Sequence, residues 1–193
     1  MQSSSVIRSG AGFGIRLGAR AIDWVYGMMI GFVTGGVAGG IFSVLAEMDR
    51  LPPDWPELLQ QHQFVSVSFG LIATFLYGAI AEGTGSITLG KLICGLRVVQ
   101  VNEGPVTFQG AVVRNAVYFI DALFFGLVGY TAMSQTPLRQ RYGDKWAGTI
   151  VVEASVFQPK PKRSAWRKFL GLALGSAFYA AAVFWSLWLK ATW

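Results

Sequence analysis

Three long apolar runs, each bordered by charged or turn-forming residues, divide this chain. They cover about residues 21–46, 64–81 and 169–189. A helix needs roughly 17–25 mostly apolar residues to cross a bilayer core of about 30 Å. The pattern therefore predicts three transmembrane helices, with the acidic, proline-containing segment 47–63 as a loop between the first two.

Between the second and third runs the pattern changes from continuous to mixed. Residues 83–95 combine small residues with one apolar face, which is typical of a short interfacial helix. Residues 96–101 and 148–153 are rich in β-branched residues, as strands are. Isolated strands are not stable in water or in lipid. We therefore expect the two strands to pair with each other on one side of the membrane.

Residues 108–133 are apolar but contain Arg114, Asn115 and Asp121 and two glycines. This segment either crosses the membrane once or enters and returns as a hairpin. Counting Lys and Arg in the polar segments, with the C-terminus included, gives nine against seven for a single crossing and fourteen against two for a hairpin. The positive-inside rule favours the hairpin, with a cytoplasmic N-terminus and an external C-terminus.

Composition agrees with a membrane protein. The hydrophobic fraction is 53%, and 13% of residues are charged, against about 25% in soluble domains. The mean hydropathy is +0.47. The net charge of +6 does not indicate nucleic-acid binding, because the basic residues flank apolar runs and do not alternate with exposed aromatic residues.

The usual catalytic and metal-binding residues are scarce. The chain has one cysteine, Cys94, in an apolar stretch, and one histidine, His62, in a polar loop. They predict neither a disulfide nor a metal site, and no Ser–His or Cys–His pair has an evident place. We expect no catalytic site and no cofactor.

Asp23 is an ionisable residue at the border of the first apolar run, where Arg16 and Arg20 precede it. Such a residue is a candidate functional site, because an unpaired charge near hydrocarbon is costly. Glycines at helical spacing continue along the helix face that carries Asp23. A smaller set of glycines lies on the last apolar run. The glycines predicted to serve helix packing are Gly27, Gly31, Gly35, Gly39, Gly171 and Gly175.

Asp23 has two possible roles. As a carrier of protons or cations it needs an aqueous path. As a structural residue it pairs with a cation and fixes how helices meet the polar layer. The candidate partners are Arg16, Arg20, Arg114 and Lys145.

Four ordered blocks of sequence resemble the RDD family of bacterial membrane proteins, which is named for one arginine and two aspartates. The first block has Arg16, Ala19, Ile22 and Asp23 in the pattern Arg-x-x-Ala-x-x-Ile-Asp. The other blocks are residues 85–99, which contain Gly90, Lys91, Gly95 and Arg97, residues 104–115, which end in Arg114 and Asn115, and residues 140–152, which contain Arg141, Gly143, Asp144 and Gly148.

The resemblance implies that Arg16 and Asp23 are the first two family positions. Asp144 is the best candidate for the third, and Asp121 is its competitor. We therefore expect a flexible N-terminal segment at 1–15, an RDD-like membrane domain at 16–153, a basic cytoplasmic linker at 154–168 and an additional C-terminal transmembrane helix at 169–193. The usual suggestion for this family is transport of ions or small ligands.

We thus expect an all-α integral membrane protein of the bacterial inner membrane, with three transmembrane helices, a re-entrant or short helical hairpin, and a small cytoplasmic strand layer. The favoured function is that of a non-enzymatic accessory or scaffolding subunit that packs against other membrane proteins. The alternative is an oligomeric transporter resembling a cation/proton antiporter.

Overall fold

The computed structural model describes residues 9–61, 63–155 and 164–192, apart from the side chain of Phe125. His62 and most of the predicted basic linker therefore lie outside the described residues. The elements are α1 (Phe13–Glu47), α2 (Trp55–Gln61), α3 (Gln63–Gly85), α4 (Leu89–Ile93), β1 (Leu96–Gln100), α5 (Phe108–Asp121), a 3₁₀ turn (Leu123–Gly126), α6 (Leu127–Ser134), α7 (Tyr142–Trp146), β2 (Thr149–Glu153) and α8 (Ala165–Thr192).

The predicted fold class is confirmed. Helices α1, α3 and α8 are each long and apolar enough to span a membrane. Large apolar side chains project from them into the surroundings, including Phe32 at 86% exposure and Phe64 at 90%. Such surfaces suit helices whose solvent is lipid. Helix α1 begins at Phe13, before the predicted apolar run that starts at residue 21. Its first turns contain Arg16 and Arg20, which the apolar run does not include.

The described residues fall into two compact units, each built from separated stretches of chain. The first comprises residues within 1–24 and 78–175, and the second comprises residues within 25–77 and 176–193.

In the second unit, aromatic packing surrounds Phe42, which is fully buried. Its ring centroid lies 5.6 Å from that of Trp55, 5.9 Å from Phe184 and 5.8 Å from Trp188. Trp55 begins α2, a helix that the sequence reading treated as part of a loop. The aromatic contact explains why this short segment is ordered as a helix, since seven residues do not form a stable helix on their own.

In the first unit, the two predicted strands pair with each other. The ladder is antiparallel, with Leu96 opposite Glu153, Val98 opposite Val151 and Gln100 opposite Thr149. Val98 and Val151 are fully buried and form a core with residues of α1 and α5. The strand layer is thus held by apolar packing as well as by its hydrogen bonds.

Residues 108–134 form a pair of short helices. Helix α5 has 14 residues and α6 has 8, and both are shorter than a helix that crosses the membrane. The chain turns at the 3₁₀ segment, where Gly126 has a φ of +87° that suits glycine. The segment is therefore a short helical hairpin, as the charge count predicted.

The order of the elements along the chain shows an internal repeat that the sequence analysis did not predict. In chain order, α1, α3, α4 and β1 form the first repeat, and α5, α6, α7 and β2 form the second. Both short helices have five residues and both strands have five. The glycine between helix and strand has a positive φ in both, +65° at Gly95 and +60° at Gly148.

Finer details of the two repeats also correspond. The residues four positions before the equivalent glycines Gly90 and Gly143, namely Ser86 and Arg139, both have positive φ although neither is glycine. The hydrogen bond from Val101 N to Gly148 O, at 3.0 Å, has its counterpart from Ala154 N to Gly95 O, at 2.7 Å. The helical hairpin α5–α6 is thus the short counterpart of the membrane-spanning pair α1 and α3.

Equivalent residues of the two repeats meet face to face. Val98 and Val151 occupy the same position in β1 and β2, and they are ladder partners. Arg20 and Tyr118 occupy the same position in α1 and α5, and the guanidinium of one lies 4.0 Å from the ring centroid of the other. Equivalent residues that contact each other indicate an approximate two-fold axis, which passes through both contacts.

Candidate functional site

A buried polar cluster lies within the first unit, where the first turns of α1 meet α4, α5 and α7. Its members come from both repeats and combine five cationic side chains, four carboxylates, one amide and one phenol. The polar cluster consists of Arg16, Arg20, Asp23, Glu82, Lys91, Arg114, Asn115, Tyr118, Asp121, Arg141 and Asp144.

Asp144 joins the arginines of the two repeats. Arg16 Nη1 donates to Asp144 Oδ2 at 2.6 Å, and Arg114 Nη2 lies 3.0 Å from Oδ1. The second contact is an ion pair that lacks hydrogen-bond alignment. Both arginines precede an aspartate by seven residues, Arg16 before Asp23 and Arg114 before Asp121. The carboxylate of Asp144 thus pairs with the equivalent arginine of each repeat.

The remaining donors of Arg16 bind backbone. Its Nε donates to Ala11 O at 3.1 Å, and Nη2 donates to Arg139 O at 2.9 Å and contacts Val151 O at 3.5 Å. This guanidinium therefore holds the start of α1 against β2 and the segment that precedes α7. Its planar set of five N–H groups suits such a junction of several acceptors.

The environment of Asp144 favours its charged form. Its side chain is fully buried, and burial alone raises a carboxyl pKa. The positive charges of Arg114, Arg141 and Arg16 outweigh that effect and hold the pKa of Asp144 well below its ordinary value. Asp144 is therefore a charged counter-ion at neutral pH.

Asp23 and Asp121 perform the same task in their respective repeats. Asp23 Oδ1 accepts from Gly90 N at 2.8 Å and its Oδ2 accepts from Thr88 Oγ1 at 2.7 Å. Asp121 accepts from Tyr142 N at 3.0 Å and from Gly143 N at 3.1 Å. Each carboxylate therefore accepts from backbone N–H at the start of a five-residue helix, one amide for Asp23 and two for Asp121, where N–H groups lack partners within the helix.

Close packing explains the glycines at these two helix starts. A Cβ at Gly90 would collide with the carbonyl oxygen of Ala19, and a Cβ at Gly143 would lie 2.8 Å from the carbonyl oxygen of Arg114. Neither backbone oxygen can move aside cheaply. Only glycine lets the amide approach the aspartate of the long helix this closely.

Glu82 forms a second charged group at the end of α3. It pairs with Lys91, accepts from Asn115 Nδ2 at 2.9 Å, and has Arg114 Nε at 3.5 Å. Burial lowers the pKa of Lys91, and the negative charge of Glu82 only partly offsets this. Lys91 is the repeat equivalent of Asp144, so the same position carries opposite charges in the two repeats.

Arg20 and Arg141 flank the ring of Tyr118. Their guanidinium carbons lie 4.0 Å and 5.6 Å from its centroid, a geometry that stabilises cations. Burial lowers the pKa of Arg141, but Asp144 and Asp121 outweigh that effect and raise it. Both arginines border a cavity of about 30 Å³, whose wall also includes Asp23, Glu82 and Lys91.

The predicted cluster residues differ in how they are placed. Arg16, Arg114 and Asp144 meet directly, and Arg20, Asp23 and Asp121 lie within the same polar cluster. Lys145 is only partly buried, and its Nζ lies 5.4 Å from the ring centroid of Tyr142. Asp23 accepts hydrogen bonds from the hydroxyl of Thr88 and the amide of Gly90. Two of the cations that the sequence offered as partners of Asp23, Arg16 and Arg114, pair with Asp144.

The sequence reading did not place Glu82, Lys91, Asn115, Tyr118 or Arg141 at the site. Four of these five residues have a feature in the sequence that could have identified them. Glu82 closes an apolar run as Asp23 opens one, and the other three lie inside the blocks that resemble the RDD family. Tyr118 had none, because its role depends on its stacking against Arg20.

The predicted packing glycines are in different surroundings. A Cβ at Gly27 would lie 3.0 Å from the Tyr179 hydroxyl, and one at Gly171 would lie 3.0 Å from Ala81 O. Gly175 is buried. A Cβ at any of the remaining three would meet no heavy atom within 4 Å among the described residues: Gly31, Gly35 and Gly39.

These features define the class: a small helical integral membrane protein whose arginines and aspartates form a buried polar cluster beside a two-stranded sheet. The model of the RDD family matches residues 10–148. The chain therefore belongs to the RDD family, and α8 lies beyond the matched region. Comparisons with curated proteins and with solved structures give no match.

Proposed function

We propose that this protein is a non-enzymatic accessory or scaffolding subunit of a larger assembly in the bacterial inner membrane. The observation that carries the proposal is the open row formed by Gly31, Gly35 and Gly39 of α1. Among the described residues, nothing lies within 4 Å of a Cβ placed at any of them.

Within lipid, apolar side chains gain nothing from leaving water, so helices associate through close backbone contact at small residues. A glycine also costs a helix about 1 kcal/mol relative to alanine. A row of three that no described helix covers is therefore best explained by a helix from another subunit.

The polar cluster supports a structural role for the charged residues. Asp144 is held by Arg16 and Arg114, and Asp23 and Asp121 accept amides of α4 and α7. These contacts fasten the membrane helices to the strand layer.

We further propose that the N-terminus and the strand layer lie in the cytoplasm. The hairpin α5–α6 returns the chain to the side from which it came, so the basic segments share one side. The sequence then has fourteen Lys and Arg on that side against two on the other.

The test is purification of the protein from its native membrane in mild detergent, followed by identification of any co-migrating chain. We expect a stable hetero-complex that is lost in Gly35→Leu. The monomer should still fold, because a Cβ at this position meets no described atom within 4 Å. Val33→Leu, at an exposed position of the same helix, is the matched control and should retain the partner.

A second candidate is an oligomeric transporter of cations or protons. The observation that favours it is the cavity of about 30 Å³, which Asp23 and Glu82 border near the start of a membrane helix. Purification as a homo-oligomer without a partner would favour this function. Ion flux in proteoliposomes that disappears in a folded Asp23→Asn variant would establish it over the scaffold.

A further inference from the structure

We propose that the cavity bordered by Arg20, Lys91 and Arg141 binds a phosphate-type oxyanion, supplied either by free phosphate or by the headgroup of an anionic lipid. The cavity lies within the first unit, beside the contact between Arg20 and Tyr118 that marks the two-fold axis. The proposal does not depend on whether the protein is a scaffold or a transporter.

The wall of the cavity carries more positive than negative charge. Four cationic side chains, Arg16, Arg20, Lys91 and Arg141, face two carboxylates. The carboxylates already have partners: Asp23 accepts from Thr88 and Gly90, and Glu82 accepts from Lys91 and Asn115. Asp144, which lies outside the wall, pairs with Arg16 and is 3.8 Å from Arg141. The five cations and four carboxylates of the polar cluster still leave one positive charge in excess, and this charge attracts an anion.

Unused donors point to the same ligand. Arg20 Nε and Arg141 Nε are buried, and neither has a hydrogen-bond partner among the residues the structure describes; the nearest carboxylate oxygen to Arg141 Nε, Asp144 Oδ2, is 3.8 Å away. A buried charged donor without an acceptor is costly. A water molecule accepts hydrogen bonds but adds two hydrogens that need acceptors themselves. An oxyanion adds acceptors only, so it satisfies a wall that is rich in donors.

The two arginines are prepared for such a ligand. The guanidinium of Arg20 lies against the ring of Tyr118, 4.0 Å from its centroid, and that of Arg141 lies over the same ring at 5.6 Å. Stacking restricts the orientation of the guanidinium plane, and the planar arrangement of N–H groups matches two oxygens of a phosphate. Little side-chain entropy then remains to be lost when the anion binds.

The size of the cavity sets the part of the ligand that enters. A single water needs about 10–15 Å³ of such space, so about 30 Å³ admits roughly two oxygen-sized groups. Two phosphate oxygens fit, and the rest of the molecule must remain outside. Arg20 lies just before the charge-free stretch 24–46 of α1. Lipid phosphates lie at this border between hydrocarbon and water.

The experiment uses the full-length protein in phosphate-free detergent buffer, with the thermal unfolding midpoint as the readout. Sodium phosphate is titrated against sodium chloride at equal ionic strength. In a second series, phosphatidylglycerol is titrated against phosphatidylcholine, which has no net charge. We expect saturable stabilisation by phosphate or by phosphatidylglycerol, and at least tenfold weaker binding in Arg20→Gln and in Arg141→Gln.

Arg97→Gln is the matched control, because it removes the same charge from β1, and Arg97 is not part of the cavity wall. It should bind as the wild type does. Arg20→Lys keeps the charge and removes Nε. It should also bind more weakly, and it replaces Arg20→Gln if that variant does not fold.

The two series also separate the sources. Stabilisation by inorganic phosphate identifies a soluble ligand, and stabilisation by phosphatidylglycerol alone identifies a lipid headgroup. The proposal is overturned if neither stabilises the wild type saturably, or if chloride does so equally well. It is also overturned if Arg97→Gln weakens binding as much as Arg20→Gln.

Discussion

The guanidinium of Arg16 donates to the carboxylate of Asp144 at 2.6 Å, and both side chains are almost entirely buried. This contact joins the first turns of a membrane helix to the short helix that precedes β2. Because Arg114 contacts the other oxygen of the same carboxylate, Asp144 pairs with two buried cations at once.

Replacing Asp144 with Asn should therefore be strongly destabilising. Removing one partner of a buried ion pair typically costs about 3–5 kcal/mol, because the other charge remains buried without compensation. Thermal unfolding in detergent measures the loss. Glu153→Gln, at an exposed residue of the adjacent strand, should change the midpoint little, and equal effects of the two substitutions would contradict the assignment.

Asp144 should also contribute to the pH dependence of stability. Its pKa is below the ordinary value in the folded protein because three arginines outweigh the effect of burial. A carboxyl with a lowered folded-state pKa stabilises the fold above its unfolded pKa of about 3.9 and loses this contribution as the pH falls below it. The unfolding midpoint should fall below about pH 4 in the wild type. In Asp144→Asn that fall should be smaller, and an unchanged profile would exclude this carboxyl as the source.

The two capping aspartates should act locally and separately. Asp23→Ala should accelerate amide hydrogen exchange in residues 88–93, and Asp121→Ala should accelerate it in residues 142–146. Each substitution removes the acceptor for amides at the start of one helix, at a typical cost of about 0.5–2 kcal/mol. Mass spectrometry of peptide fragments makes the comparison. Faster exchange of both segments in either variant would indicate general unfolding.

Gly90→Ala and Gly143→Ala should each destabilise the fold by about 1–3 kcal/mol, the usual cost of overpacking. In both cases the new Cβ meets a backbone carbonyl oxygen of the neighbouring helix. Gly18→Ala is the matched control, since its Cβ meets no described atom within 4 Å. It should be neutral or stabilising by up to about 1 kcal/mol, and denaturation of the purified variants gives the ranking.

Parts of the site could be predicted because their signals are local. Asp23 and Arg16 stand out since they interrupt or border apolar sequence. The partner of Arg16 could not be predicted in the same way: Asp23 is near in sequence, and Asp144 is far. In the folded protein Arg16 Nη1 donates to the distant Asp144, and Asp23 accepts from Thr88 and Gly90.

The internal repeat illustrates the same limit. The shared residues are few, namely an arginine and an aspartate seven positions apart, two glycines and a pair of valines. One repeat has helices long enough to span a membrane and the other does not, so the hydropathy pattern conceals their relation. Only the equivalent backbone angles and hydrogen bonds reveal it.

By itself, the sequence determined the three long apolar helices, the two strands and the blocks typical of the RDD family. Hydropathy and β-branched composition are properties of neighbouring residues, so these features need no knowledge of contacts. Only the tertiary structure decided that Asp144 joins Arg16 to Arg114, that Asp23 and Asp121 cap equivalent helices, and that Arg20 and Arg141 border one cavity. These pairings depend on which side chains meet once the helices pack and the strands pair, and sequence separation does not specify that.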